Sequence, residues 1–283
     1  MRCLIVSDIH GNLPALEAVL ASPEAADCES IVSLGDQVNF GPQSREVLRR
    51  LEGLHAAMLL GNHEERFTRL EDPALAGYNW ALLHWTARQL EGVRLDFPMD
   101  VRLGPALLTH GMPGDPYRLV WPRDLPGYLD ALPEGVSLLL SGHHHIRWDV
   151  THQGRRAVNP GSVGVPEDGV GGVAAFAVLT IHDGRADVTF HRAAYNVDEV
   201  ARAYITSGAA QAAPEMTRLL VQNMITGEYS LVLKALAHIR DVAQPHGLTP
   251  ADREAWLMAD ATLPWREPLS TPEYWSMMEE KLL

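Results

Sequence analysis

Five short segments combine the side chains that bind divalent cations. They are Asp8-Ile9-His10, Gly35-Asp36, Gly61-Asn62-His63-Glu64, His110-Gly111 and Gly142-His143-His144-His145. Carboxylate, amide and imidazole donors suit hard-to-borderline divalent ions, and none of the five contributes a thiolate. Each segment follows an apolar run. Asp8 and His10 are two apart, so in an extended segment they share a face, and His143 and His145 have the same spacing. Taken singly the signals are weak: Asp-x-His arises by chance, Gly-Asp is common in turns, and a lone buried histidine such as His110 is more often a satisfied core residue. Together, in this order, they point to a metal site. The three consecutive histidines are internal and follow an apolar strand, so they are no purification tag.

The elements that must position these residues are legible as alternating strands and helices. Residues 2–7, 30–34, 56–60, 106–109 and 136–141 have the character of buried strands. Asn12 is placed to cap a helix with Pro14 in its first turn, and Leu13, Leu16, Val19 and Leu20 share one face. Residues 44–52 also look helical. The alternation predicts an α/β fold with a mostly parallel sheet covered on both faces. In such sheets sites form at the carboxyl ends of strands, where the five segments would meet. Residues 64–100 read as helices rich in Trp and Leu. From 147 to 191 short strands with glycine punctuation suggest a more antiparallel second half, and Asp183-Gly184 signals a hairpin between 173–181 and 185–191.

A change of character near residue 195 divides the chain into a domain over 1–195 and a mainly helical extension over 196–283. Residues 196–243 have helical periodicity, broken near Ser207-Gly208 and at Pro214. Residues 245–283 are rich in Pro and Trp and read as short helices and loops. Three roles stay open for the extension: a subdomain, a cap, or an element through which the chain forms a homo-oligomer.

Composition narrows the chemistry. The net charge of −13 over 283 residues argues against long nucleic acids held through their phosphates, which need a basic face. It leaves room for a small phosphorylated substrate in a metal-filled cleft. The two lysines are Lys234 and Lys281, and no Gly-Lys-Ser/Thr exists, which excludes a P-loop. No Gly-x-Ser-x-Gly elbow occurs. Cys3 and Cys28 form neither a disulfide framework nor a Cys-x-x-Cys zinc pattern, and Cys3 reads as a small buried apolar residue. No apolar run has membrane-spanning length, and a cytoplasmic location is the default expectation.

Over about residues 1–192 the sequence resembles the calcineurin-like metallophosphoesterases, in the branch of small bacterial phosphodiesterases and diadenosine-polyphosphatase-like proteins. The resemblance rests on the five segments, on Gly35 to Pro42, on Thr109-His110-Gly111 and on Asn159-Pro160-Gly161-Ser162-Val163-Gly164. It implies a four-layer αββα sandwich and two divalent metal ions, with manganese, iron and zinc all suited. Asp8, His10 and His145 would hold one metal, Asn62, His110 and His143 the other, and Asp36 would bridge them. His63 would be no ligand but would sit beside the phosphate, with Asn62, as an electrostatic contact or general acid. Ions about 3.5–4 Å apart clamp an attacking and a leaving oxygen. On that reading a metal-activated water would attack phosphorus in line, and His63 could protonate the leaving alkoxide.

The chain departs from the family pattern in three places. His144 stands where Thr, Ser or Asn is usual and reads as an outer or structural residue, with a substrate contact as the alternative. Val165-Pro166-Glu167-Asp168 replaces Gln-Pro-Arg-Asp, so an arginine that could face substrate is Glu167. Asn39-Phe40 replaces the more usual Gly-Tyr. Arg118, Arg147, Arg155 and Arg156 lie near motif segments and could meet phosphate oxygens, though solvated surface cations are the favoured reading. Trp80, Trp85, Trp256, Trp265 and Trp275 read as packing residues, and Glu64 as an orienting group or a favourable helix start. The expected activity is hydrolysis of a small phosphodiester. Alternatives are a phosphomonoesterase, a nucleotide-anhydride hydrolase, or a metal-binding scaffold with little catalysis. The presence of all seven ligand positions and His63 counts against the scaffold.

Overall fold

The computed structural model describes residues 1–260 and Thr262. The expected packing at Trp265 and Trp275 therefore lies outside the described residues, as does the remainder of the tail. Ten strands form two sheets: β1 (Arg2–Val6), β2 (Ser30–Ser33), β3 (Ala57–Met58), β4 (Asp100–Leu103), β5 (Ala106–Thr109), β6 (Leu138–Ser141), β7 (Trp148–His152), β8 (Arg155–Asn159), β9 (Val173–His182) and β10 (Arg185–Ala194) among the described residues. The first sheet has the order β10-β9-β1-β2-β3 and the second β4-β5-β6-β8-β7.

Both sheets are mixed, which corrects the expectation of one mostly parallel sheet. β1 pairs in parallel with β2 but antiparallel with β9, and β6 runs parallel to β5 and β8 while β4 and β7 are antiparallel edges. Period-two burial reveals a strand's faces, not its neighbours. β4 also falls at the end of the stretch expected to be helical. The β9–β10 hairpin forms around Asp183-Gly184 as expected.

Alternation along the strands builds the layers. Cys3 and Ile5 of β1 and Leu138 and Leu140 of β6 meet in the apolar space between the sheets, with Leu34, Leu108 and Leu179. Leu4 and Val6 face the other way, against Leu16 and Val19 of α1 (Leu13–Leu20) and Val47 and Leu51, beyond the short α2 (Pro23–Ala26), on α3 (Ser44–Gly53). Asn12 caps α1 by accepting from Ala15 N–H at 3.1 Å. Beyond α4 (Asn62–Arg66) and α5 (Ala81–Gln89), α6 (Leu125–Asp130) covers the outer face of the second sheet through Leu125 and Leu129 against Leu139 and Ala157. The result is the αββα sandwich.

The helical extension comprises α7 (Val197–Ser207), α8 (Ala209–Ala212), α9 (Pro214–Thr226), α10 (Leu231–Ala243) and α11 (Arg253–Asp260) among the described residues. Its breaks fall at Gly208 and Pro214, as the sequence suggested, and again at Gly227–Ser230. Tyr204, Leu220, Ile239 and Trp256 form a core that continues into Leu82 and Trp85 of α5. Gly169 N–H donates to Gly227 O and Gly172 N–H to Met224 O, both at 2.8 Å, so backbone bonds tie the end of α9 to the sandwich. Among the described residues, no helix is long and apolar enough to cross a membrane.

Candidate metal centre

Strand register sets the level of the site. Val6 lies opposite Ser33 and Thr109 opposite Ser141, so the segments leaving β1 and β2, and those leaving β5 and β6, emerge in pairs. Backbone bonds then zip the loops together. Asp8 N–H donates to Gly35 O (3.1 Å), His10 N–H to Asp36 O (2.8 Å) and Gly142 N–H to His110 O (2.7 Å).

The expected extended geometry at Asp8/His10 and His143/His145 is not what presents these side chains. Asp8 (φ 53°), His10 (50°), Asp36 (54°), His143 (67°) and His145 (57°) are all left-handed. Such backbone costs on the order of 1–3 kcal/mol per non-glycine residue, and Asp and His tolerate it better than most. The chain thus turns at almost every residue, which packs many polar groups into a small volume. Two glycines permit the crowding. Gly35 has φ +115°, and a Cβ on Gly61 would stand 2.1 Å from Asp36 Oδ1.

The seven expected ligands and His63 converge. Ligand atoms of Asp8, His10 and His145 lie within 4.8 Å of one another, as do those of Asp36, His110 and His143, and those of His10, Asp36 and His63. His10 Nε2 is 3.1 Å from His145 Nε2. Asp36 Oδ2 is 3.7 Å from His10 Nε2 and 3.3 Å from His110 Nε2, between the first two groups. His143 and His145 therefore diverge to different groups. Asn62 Oδ1 lies 3.0 Å from His110 Nε2. The same end of the amide is 3.1 Å from Asp36 Oδ2 and 3.0 Å from His143 Nδ1.

These atoms fit a cation. His110 Nδ1 lies 3.0 Å from Leu34 O, which can only accept, so Nδ1 carries a proton and Nε2 can offer its lone pair to the site. Asn62 has two chemically distinct orientations. With nitrogen inward it donates to His110, Asp36 and His143, whereas with oxygen inward it joins their lone pairs in facing one point, favourable with a cation there. Proton affinities follow the same pattern. Burial pulls His10 and His143 down to about 4, leaving neutral imidazoles at neutral pH. Burial also acts on His110 and His145, but Asp36 and Asp8 respectively outweigh it and raise each to about 9. Despite burial, these histidines hold both carboxyls below their usual range. Ser7 Oγ donates to Asp8 Oδ2 at 2.6 Å and His143 N–H to both its oxygens, fixing that carboxylate.

His63 borders the ligands. Its Nε2 lies 3.9 Å from Asp36 Oδ2, and its backbone N–H donates to Asp36 Oδ1 at 2.8 Å. Asn39 Nδ2 meets His63 Nδ1 at 2.8 Å. Phe40 packs against both His63 and His10, with ring centroids 4.6 and 4.9 Å apart. Glu64 is buried and does more than start a helix. Its Oε2 accepts from the N–H of Asp36 (2.9 Å) and Gly61 (3.0 Å), and its Oε1 from Gln37 (2.7 Å) and Val38 (3.1 Å). One carboxylate thereby holds the loop carrying Asp36.

The extension reaches the site twice. Tyr204 donates to Phe40 O at 3.0 Å, and Ser230 N–H donates to Glu167 Oε2 at 3.1 Å. Glu167 is close enough for its charge to act on His145. His144 turns from the ligands toward Trp121, 4.5 Å between centroids, edge-on. Of the four arginines singled out in the sequence, Arg118 lines a cleft with Gly142, His143 and His144, and the other three bond away from the ligands. Arg155 donates to the carbonyls of Leu129, Asp130 and Leu132, Arg156 pairs with Asp149 and Asp187, Arg118 meets Tyr128, and Arg147 stacks on Phe190. Arg66 stands beside Asn62, and sequence reading passed over it. Its signal was position: four residues after Asn62 on α4, it shares that ligand's helix face.

The fold and this cluster define a metallophosphoesterase, and the chain belongs to the calcineurin-like phosphoesterase superfamily, whose domain matches residues 1–184. It is a metal-dependent phosphoric ester hydrolase by that membership. Among characterised relatives, phosphodiesterase YfcE of Escherichia coli K12 is 30% identical over 190 residues, covering 60% of this chain and 83% of the relative. The crystal structure of a metallophosphoesterase from Sphaerobacter thermophilus superposes with a TM-score of 0.66 at 29% identity, over 80% of this chain and all of that one. That likeness extends past the sandwich into the helical extension. Protein PH1004 of Pyrococcus horikoshii shares the fold, with a TM-score of 0.64 at 22% identity over 81% of this chain and 99% of that one.

Proposed function

We propose that the chain hydrolyses a small phosphodiester at a pair of divalent cations. The observation that carries this reading is Asp36: its carboxylate stands between two groups of converging ligand atoms while its Oδ1 receives the N–H of His63. Asp8, His10 and His145 would hold one ion and Asn62, His110 and His143 the other, with Asp36 shared. The oxygen and imidazole donors suit manganese, iron or zinc. Bound there, divalent cations supply positive charge to a phosphate and acidify the attacking water.

The chain's own residues orient and exchange protons around that chemistry. If Asn39 Nδ2 donates to His63 Nδ1, the remaining proton of neutral His63 sits on Nε2. That nitrogen faces the cleft and can donate a hydrogen bond to a substrate oxygen; with its amide turned so that the oxygen accepts from Nδ1–H, Asn39 supports the imidazolium instead, the form that can protonate a leaving alkoxide, a contribution of roughly 10²–10⁴-fold. Phe40 excludes water from one side of His63. The acidic surface disfavours long nucleic acid, and the name of the relative YfcE favours a diester.

The test is hydrolysis of a chromogenic diester and its monoester counterpart by metal-stripped protein with and without added Mn²⁺. Metal-dependent turnover favouring the diester supports the reading. Preference for the monoester would move the activity to phosphomonoesterase, and metal uptake without hydrolysis of either would support a scaffold.

A further inference from the structure

Arg66 is held in an unusual setting for a cation on a short helix. Its guanidinium lies 5.2 Å from the centroid of Trp80 and 5.4 Å from that of Tyr117. Aromatic faces attract a guanidinium and limit its rotamers without neutralising it. Tyr117 is itself fixed, because its hydroxyl donates to Glu65 and accepts from Arg69 at 2.7 Å. Glu65 is paired with Arg69 at 2.9 Å. Arg66 makes no ion pair among the described residues.

The guanidinium points at Asn62. Nη1 and Nη2 lie 2.6 and 3.2 Å from the end of the amide that faces away from the ligands, and with the amide nitrogen inward that end is the oxygen, which accepts from both. When Asn62 turns its oxygen toward a metal, that outer end is Nδ2, a donor. Two kinds of N–H then stand side by side at the edge of the Asn62/His110/His143 group. Donor beside donor is repulsive, and an oxyanion accepting from both relieves it. Arginine is shaped to give two parallel hydrogen bonds to phosphate oxygens. The neighbouring cations each have a partner of their own, Arg69 with Glu65, Lys234 with Glu228 at 3.1 Å, and Arg118, on the His143 side, with the Tyr128 hydroxyl at 3.1 Å. Glu167, which acts on His145, has Lys234 close enough to offset its charge.

We propose that Arg66 and Asn62 Nδ2 form an oxyanion fork that binds a non-bridging phosphate oxygen of the substrate and sets which way the ester lies in the cleft. The inference rests on the phosphoesterase reading above. Arg66 is a substrate-binding residue in this account and transfers no proton. Trp80 and Tyr117 hold its guanidinium ready.

The experiment compares Mn²⁺-loaded wild type, Arg66→Met and Arg66→Lys, measuring metal content by elemental analysis and affinity for inorganic phosphate by calorimetry. The expected result is unchanged metal content in all three, phosphate affinity at least about tenfold weaker in Arg66→Met, and an intermediate loss in Arg66→Lys, which keeps charge without the planar fork. The diester KM should rise in the same order. Unchanged phosphate affinity in Arg66→Met at full metal content overturns the proposal. So does a loss of metal in that variant, which would make Arg66 a support for Asn62. If wild type neither binds phosphate nor hydrolyses esters with metal present, the phosphoesterase reading itself falls, and the fork with it.

Discussion

Asn39 Nδ2 lies 2.8 Å from Nδ1 of His63, and this contact decides which nitrogen of the imidazole can serve the cleft. An amide that donates to Nδ1 selects the tautomer protonated on Nε2. An aspartate at position 39 would accept from Nδ1 instead and would favour the imidazolium. Burial already holds His63 well below the usual histidine range. In metal-loaded protein, Asn39→Asp should therefore move the histidine limb of the kcat–pH profile upward, while His63→Ala should retain metal and lower kcat by roughly 10²–10⁴-fold. Unchanged turnover in His63→Ala would exclude it as the acid.

Asp36 is the carboxylate on which both ligand groups depend. Asp36→Ala should abolish stable loading of both sites together, and hydrolysis with it. Elemental analysis after dialysis reads the outcome. Two ions retained per chain would refute the shared role, and one ion retained would show that the groups bind independently.

Metal uptake should be coupled to proton release. His110 and His145, each raised to about 9 beside Asp36 and Asp8, hold protons at neutral pH in the metal-free protein. A cation must displace those protons, so affinity rises with pH up to about 9. Calorimetry of Mn²⁺ binding at pH 7 in buffers of different ionisation enthalpy should reveal proton release. The same pairs set the sign of metal-free stability. Their contribution is full between the unfolded carboxylate and histidine pKa values, about 4 and about 6.5, and is lost as pH rises through about 9. Buffer-independent heats at pH 7 would contradict this protonation pattern.

Much of the centre was legible because its ligands are rare types placed directly after apolar runs. Asp8, Asp36 and His110 needed only that context. Their backbone geometry was not legible, since Asp8-Ile9-His10 reads as extended by spacing and is in fact a succession of left-handed turns around buried Ile9. Arg66 was missed for a related reason. Its setting depends on Trp80 and Tyr117, which reach it from separate segments, and no local pattern announces such a meeting. The order of strands was hidden likewise: β9 reads plainly as half of a hairpin, but nothing in it states that it will pair antiparallel with β1.

Glu64 offers the sharpest test of how the loop bearing Asp36 is held. Its two oxygens accept from four buried backbone N–H groups, on Asp36, Gln37, Val38 and Gly61. Glu64→Gln preserves size but replaces one oxygen by a donor, so two of those N–H groups lose their acceptor. Leaving a buried donor unsatisfied costs about 1–3 kcal/mol. The variant should thus unfold in urea with stability lowered by roughly 2–4 kcal/mol and an unchanged denaturant slope. Because the loop carries Asp36, metal affinity should fall as well, although Glu64 is no ligand. Full stability with full metal affinity would mean that Glu64 is dispensable and that the loop is held by its backbone pairing with residues 8–11 alone.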